Sequence, residues 1–185
     1  MAHFKVISLP QIDETVDMNT PAALEYLFQN YDPKHWSEEY CDACEGLVHY
    51  ITDERVYGLR ASHFDGLGFS IMFSDTDLSE AHGYVWRTVL DTEKKYFFVD
   101  IYSDCLFPAS TFVPSEEAWS YIKAYIENPT DMPPKVNPKL KSNLVQRSEI
   151  LDHPMNGGPP LPEGVFNCYE LNKTTGQLEP IRNKK

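Results

Sequence analysis

The stretch from Tyr96 to Asn128, YFFVDIYSDC LFPASTFVPS EEAWSYIKAY IEN, constrains the fold more than any other part of the chain. Tyr96 to Tyr102 is aromatic and β-branched, the composition a half-buried pleated surface selects, and predicts a strand. Asp91 to Lys95 before it is polar and reads as a turn. A shorter extended piece is expected at Thr111-Phe112-Val113, stopped by Pro114, which cannot donate to a ladder. Ser115 is placed to cap the helix that follows, and Glu116 and Glu117 sit where the helix dipole favours negative charge. Ala118, Trp119, Ile122, Tyr125 and Ile126 recur at helical spacing and form one apolar stripe. Asn128-Pro129 ends the helix, because a residue before proline is pushed out of the α region. The pattern on its own is that of a core helix laid across a sheet.

The order of these pieces resembles a known family. An aromatic-rich strand leads to Phe107-Pro108-Ala109-Ser110, then a short strand, Val113-Pro114, Glu116-Glu117-Ala118 opening a helix, and a proline-bearing exit from Pro129 to Pro134. This looks like the C-terminal half of the Imm1 family of bacterial immunity proteins, over about a fifth of the chain, mainly Phe97 to Pro134. The resemblance implies a catalytically inert protein of a polymorphic toxin system. Its partner would be a cognate toxin domain, a nucleic-acid deaminase or nuclease in particular.

Upstream, His3 to Leu9 is a candidate first strand ended by Pro10. Thr20-Pro21 reads as a helix start with Thr20 as cap and proline at the first helical position. Leu24, Leu27, Phe28 and Tyr31 form its face, and Asp32-Pro33 terminates it. Lys34 to Glu45 is irregular. Strands are expected at Gly46–Ile51, Val56–Phe64, Phe69–Phe73 and Gly83–Leu90, with a turn at Asp65-Gly66 and a polar connection from Ser74 to His82. Short strands joined by turns imply an antiparallel meander with the two helices packed on one face, an α+β fold.

After Asn128 the chain becomes proline-rich. We therefore divide it into an acidic α+β domain, residues 1–131, and a C-terminal extension, residues 132–185, packed on the body or on a partner. Leu140, Leu144 and Ile150 mark a short helix, and Val165–Leu171 with Gln177–Ile181 marks a terminal hairpin.

Charge separates along the same boundary. The chain carries a formal net charge of -12, with 23 acids against 8 bases in residues 1–131 and 5 against 8 in residues 132–185. An acidic body repels nucleic acid and membrane phosphates and attracts a basic partner. No apolar run is long enough to span a bilayer and the N-terminus lacks a signal-peptide pattern, so the expected compartment is the cytoplasm.

Motifs for chemistry are sparse. Cys41-Asp42-Ala43-Cys44 has the spacing of a zinc half-site or redox pair, but no second half-site follows in sequence. The histidines form no HxxxH or HExxH pattern. Cys105 with His82 is one pairing a thiol enzyme could use. Asp75, Asp77 and Glu80 lack the glycine and distal glutamate of an EF-hand loop. No cofactor and no metal are implied. The leading expectation is an inhibitor that covers the toxin's active site with acidic loops carrying Glu38, Glu39, Asp42, Asp75, Asp77, Glu80 and Asp104. Trp36, Tyr40 and Tyr84 are either its aromatic anchors or core residues. A small hydrolase or thiol enzyme is the alternative, and an adaptor domain bound through its tail a third reading.

Overall fold

The computed structural model describes residues 1–10, 17, 20–30, 32–36, 45–79, 83–101, 106–166 and 168–181. The long hairpin at its centre follows from the turn at Asp65-Gly66-Leu67, where Gly66 takes a positive φ and Leu67 N–H donates to the Phe64 carbonyl. On either side lie β3, Arg55–Phe64, and β4, Gly68–Asp77, paired along their whole length. Before them come β1, His3–Ser8, and β2, Glu45–Ile51; after them β5, Gly83–Val89. These five strands form an antiparallel meander in chain order. Two further strands join it: β8, Phe112–Val113, pairs with the start of β4, and β9, Asn143–Gln146, pairs with β5.

Both helices, α1 at Ala22–Gln29 and α2 at Ser115–Glu127, cover one face of this sheet. The side chains that meet them alternate along each strand, as the pleat requires. Val48, Leu59, Ala61, Phe69, Ile71 and Phe73 face Leu24, Leu27, Phe28, Ala118, Tyr121, Ile122 and Tyr125, all buried in one cluster. The α+β architecture with its antiparallel sheet and helical layer is as the sequence predicts.

A second, small sheet runs in the order β11, β10, β6, β7, with β6 at Phe98–Asp100, β7 at Leu106–Pro108, β10 at Tyr169–Leu171 and β11 at Leu178–Pro180. The β10–β6 pairing is parallel and the others antiparallel. It packs behind the main sheet, where the Arg87 guanidinium lies 4.1 Å from the Phe107 ring centroid.

Several expectations are corrected. Among the described residues the strand predicted from Tyr96 to Tyr102 shrinks to β6, because Thr92–Lys94 is a 3-10 turn and Phe97 N–H closes back on the Lys94 carbonyl; Tyr102 lies outside those residues. Thr111 belongs to a 3-10 turn, with its hydroxyl donated to the Pro108 carbonyl. Neither Ser115 nor Thr20 caps a helix. Pro114 and Pro21 hold those positions, and their carbonyls accept from Ala118 and Leu24. α1 stops at Gln29, before Asp32-Pro33, with Asn30 as its C-cap. The connection expected at Ser74–His82 begins later, since β4 continues to Asp77 alongside β3.

The helix expected around Leu140–Ile150 is instead β9 and a 3-10 turn at Arg147–Glu149. The free edge of β5 offers this segment a ladder that an isolated short helix cannot match. α2 fixes the approach: Glu117 accepts from Lys141 N–H at 3.3 Å, and from the N–H (3.1 Å) and hydroxyl of Ser142. The Tyr121 hydroxyl donates to the Ser142 carbonyl.

His63 is buried in the core, 4.9 Å from the Phe69 ring and 6.4 Å from the Trp36 ring. Burial lowers its pKa to about 4. Its folded pKa lies below the unfolded value, so the unfolded chain binds more protons as pH falls through the interval between them. Stability should therefore drop below about pH 6.5 and level off below about pH 4, a loss of about 2 kcal/mol by pH 4.5. Urea unfolding of wild type and His63→Leu across pH 7 to 4.5 measures this; wild type should lose that much more than the variant.

Candidate protein-interaction surface

The helix-facing side of the main sheet is layered in rungs. One rung runs Val6, Val48, Leu59, Phe73, Trp86 across β1 to β5 and lies in or against the core. The next runs Phe4, Tyr50, Tyr57, Asp75, Tyr84, each directly opposite its neighbour. Beyond it Arg55 on β3 stands opposite Asp77 on β4. Core, aromatic and charged side chains thus follow one another outward across the sheet, the charged ones on β3 and β4.

The aromatic rung is held from below. Tyr125 near the end of α2 sits 6.0 Å from Phe4 and 5.9 Å from Phe73, and its hydroxyl donates to the Tyr57 carbonyl at 2.8 Å. Burial pushes its phenol pKa up. Phe4 and Tyr50 are 4.9 Å apart, and Tyr50 and Tyr57 6.4 Å. Tyr57 is half-buried, and its pKa is raised by burial and by the Asp75 carboxylate. Tyr84 closes the rung, 61% exposed, its ring stacked on Trp86 at 6.0 Å.

Arg55 organises the charged end. Its Nε donates to Asp75 at 2.7 Å and its Nη1 to Asp77 at 3.4 Å. The Asp75 bond raises the arginine pKa further. The two carboxylates are therefore held in fixed positions on a strand rather than presented by a loop. That corrects the expectation for Asp75 and Asp77. No motif marks the arginine in the sequence, yet counting outward from the Asp65-Gly66-Leu67 turn places it opposite Asp77.

Trp36 is a correction too. It is 1% exposed, with Phe69 at 4.9 Å and Phe28 at 5.5 Å, so it packs the core rather than anchoring a partner. Of the proposed aromatics, Tyr84 stands exposed. Glu38, Glu39, Tyr40, Asp42, Glu80 and Asp104 lie outside the described residues, as do Cys41, Cys44, Cys105 and His82.

Two clefts lie where β9 meets β5. One, of about 360 Å³, is lined by Gly83, Tyr84, Val85, Gln146, Arg147 and Asp152, with Ser148. The other, of about 430 Å³, shares Ser148 and has an apolar floor of Val89, Val145, Ile150 and Leu151 with Lys95 and Glu149 among its polar walls.

Other titratable groups are dispersed. Cys168 is half-buried, and burial raises its pKa, the reverse of what an activated thiol requires. His49, on the opposite face of the sheet, has its pKa lowered by burial and by Lys5 and Arg60. Glu45 on that face lies 3.4 Å from Arg60, with its pKa raised by burial. Among the described residues no group of three or more His, Cys, Asp or Glu side chains could hold a metal ion. Nor, among them, is any helix long and apolar enough to cross a membrane.

Compared with family models, curated proteins and solved structures, the chain matches none.

The layering makes a direct prediction. Tyr84→Ala should change unfolding free energy by less than about 0.5 kcal/mol, as at surface sites. Phe73→Ala, one rung inward, should cost about 3–5 kcal/mol. Urea titrations of the two variants measure the contrast, and a Tyr84 cost of core size would remove it from the surface.

Proposed function

We propose that this protein is an immunity protein, catalytically inert, that binds a cognate toxin domain and covers its active site. The observation that carries the reading is the exposed Tyr84 ring beside the fixed carboxylates of Asp75 and Asp77, on a chain of net charge -12. The resemblance of Phe97–Pro134 to immunity proteins supports it independently.

The mechanism follows from charge and desolvation. A toxin that grips nucleic acid presents cations where its substrate phosphates bind. An acidic surface draws those cations in and raises the association rate. Aromatic side chains with a fixed geometry then exclude water at the contact, where such residues dominate binding energy. Arg55 holds the two carboxylates in place before the partner arrives, which lowers the ordering cost of binding.

Co-expression with the product of the neighbouring gene, followed by purification at high salt, tests the proposal. A one-to-one complex and restored growth of toxin-expressing cells are expected; a folded protein that captures no toxin would overturn it. Within that complex, neutralising Glu38, Glu39, Asp42, Glu80 and Asp104 should slow association more than it speeds release, an effect that fades with salt. Tyr84→Ala should instead act chiefly on release. Stopped-flow kinetics at low and high salt separates the two. An association rate indifferent to the acids at low salt sinks the steering claim.

A further inference from the structure

β9 pairs with β5 from Asn143 to Gln146, opposite Val89 to Trp86. At Arg147 the chain turns away in a 3-10 turn. β5 continues to Gly83 with β4 on one side, through Ser74 to Val85, Asp75 to Tyr84 and Thr76 to Gly83. No backbone hydrogen bond from the other described residues reaches the far side of Gly83–Val85. Among the described residues the line of β9 thus carries no ladder pairing alongside three residues of β5, and Gly83 and Tyr84 are exposed there. The 360 Å³ cleft lies along this edge, walled on the other side by Gln146, Arg147 and Asp152. A strand edge with unused amides and carbonyls is a template for another strand. The outer edge of β1 also has no strand beside it among the described residues, but its register breaks between Val6 and Ser8, and Pro10 follows. A bulge and a proline both discourage pairing.

We infer that the edge of β5 over Gly83–Val85 receives an extended, basic segment of a partner protein as an added strand in line with β9. Main-chain bonds along about 10 Å of strand supply adhesion, and side chains on alternate faces supply selectivity. The segment is basic because Asp75 lies directly opposite Tyr84, with Asp77 two residues further along β4, and Asp152 in the wall, on a chain of net charge -12. Arg55 and Arg147 offset only part of that charge. A second copy of this chain carries the same net charge and is repelled. The partner class rests on the immunity reading; the edge and its cleft do not.

The test uses the full chain and three capped heptapeptides: alternating lysine and valine, the same with glutamate for lysine, and the same with proline for valine. Amide NMR follows titration, and exchange rates are read at residues 83–85. The lysine peptide should shift those amides and slow exchange of the outward-facing ones about fivefold, while the other two bind at least about tenfold more weakly. Ser148→Trp fills the cleft from an exposed position, and should weaken binding about tenfold with the rest of the amide spectrum unchanged. No response at 83–85 up to about 1 mM peptide, or binding that Ser148→Trp leaves intact, overturns the inference. So does a concentration-dependent dimer, seen by sedimentation, that Ser148→Trp dissolves, since the occupant is then a second copy. Toxin capture without peptide binding at this edge refutes the edge and leaves the immunity reading standing; peptide binding without toxin capture does the reverse.

Discussion

The structure depends on the pairing of β4 on both of its sides. It meets β3 along its whole length, β8 at Phe69 and Ser70, and β5 from Met72 to Thr76. Its inward side chains Phe69, Ile71 and Phe73 are fully buried under both helices. Such a strand must begin where β8 can approach it. Gly68 allows this: it has a positive φ, and a Cβ there would collide with the Val113 carbonyl oxygen. Where β5 parts from β4, side chains continue the ladder. Thr88 accepts from Ile71 N–H at 3.1 Å and donates to the Thr111 carbonyl at 2.8 Å, and Ser70 donates to the Thr111 hydroxyl at 3.0 Å. Buried polar groups are thereby satisfied at the junction of three strands, where an unmet one would cost about 1–3 kcal/mol.

The same strand carries the core at one end and the candidate surface at the other. Because strand side chains alternate, Phe73, Asp75 and Asp77 share a face with Phe69 and Ile71, and a one-residue register slip would turn all of them over. The burial that stabilises the fold therefore also sets the position of the two carboxylates. Their ion pairs with Arg55 are partly solvated, so their contribution is to orientation more than to stability. The aromatic rung lies between these regimes. Tyr57 and Tyr50 are half-buried and Tyr84 stands in solvent, a gradient from an apolar platform to a polar rim.

Much of the fold was legible because it rests on periodicity and turn chemistry. The alternation in Phe69–Phe73, the Asp65-Gly66 turn and the helical stripe from Ala118 to Ile126 each report a local preference that packing preserves. What was not legible depended on partners distant in sequence. Tyr96 and Phe97 have strand composition, but a strand lasts only as long as its neighbours, and β6 has them for three residues. Leu140–Ile150 reads as helical in isolation, but Asn143–Gln146 within it is a strand because β5 has an edge to fill. Trp36 could not be assigned to core or surface from its own segment, since the rings that enclose it come from α1 and β4. Of the site, Asp75, Asp77 and Tyr84 were visible as residue types. Arg55, which fixes both acids, became visible only through hairpin register.

The C-terminal extension bears on how the acidic body treats other chains. Residues 1–131 carry 23 acids and 8 bases, and residues 132–185 the opposite imbalance, 5 and 8. The body takes up this mildly basic segment by adding its strands to exposed edges, β9 to β5 and β10 to β6. Carboxylates of the body meet it on the way. Glu117 accepts from the backbone of Lys141 and Ser142, and Asp65 lies 3.1 Å from Lys173 Nζ. Covalent attachment supplies a high effective concentration, so weak contacts suffice for this docking. A separate chain lacks that advantage and must recover it through charge steering and a recessed, already shaped edge. The stretch of β5 from Gly83 to Val85 is the part of that edge that the described residues of the extension leave unpaired. It adjoins the side of the sheet where Tyr84, Asp75 and Asp77 are gathered, so strand addition and side-chain recognition would act on the same partner at once.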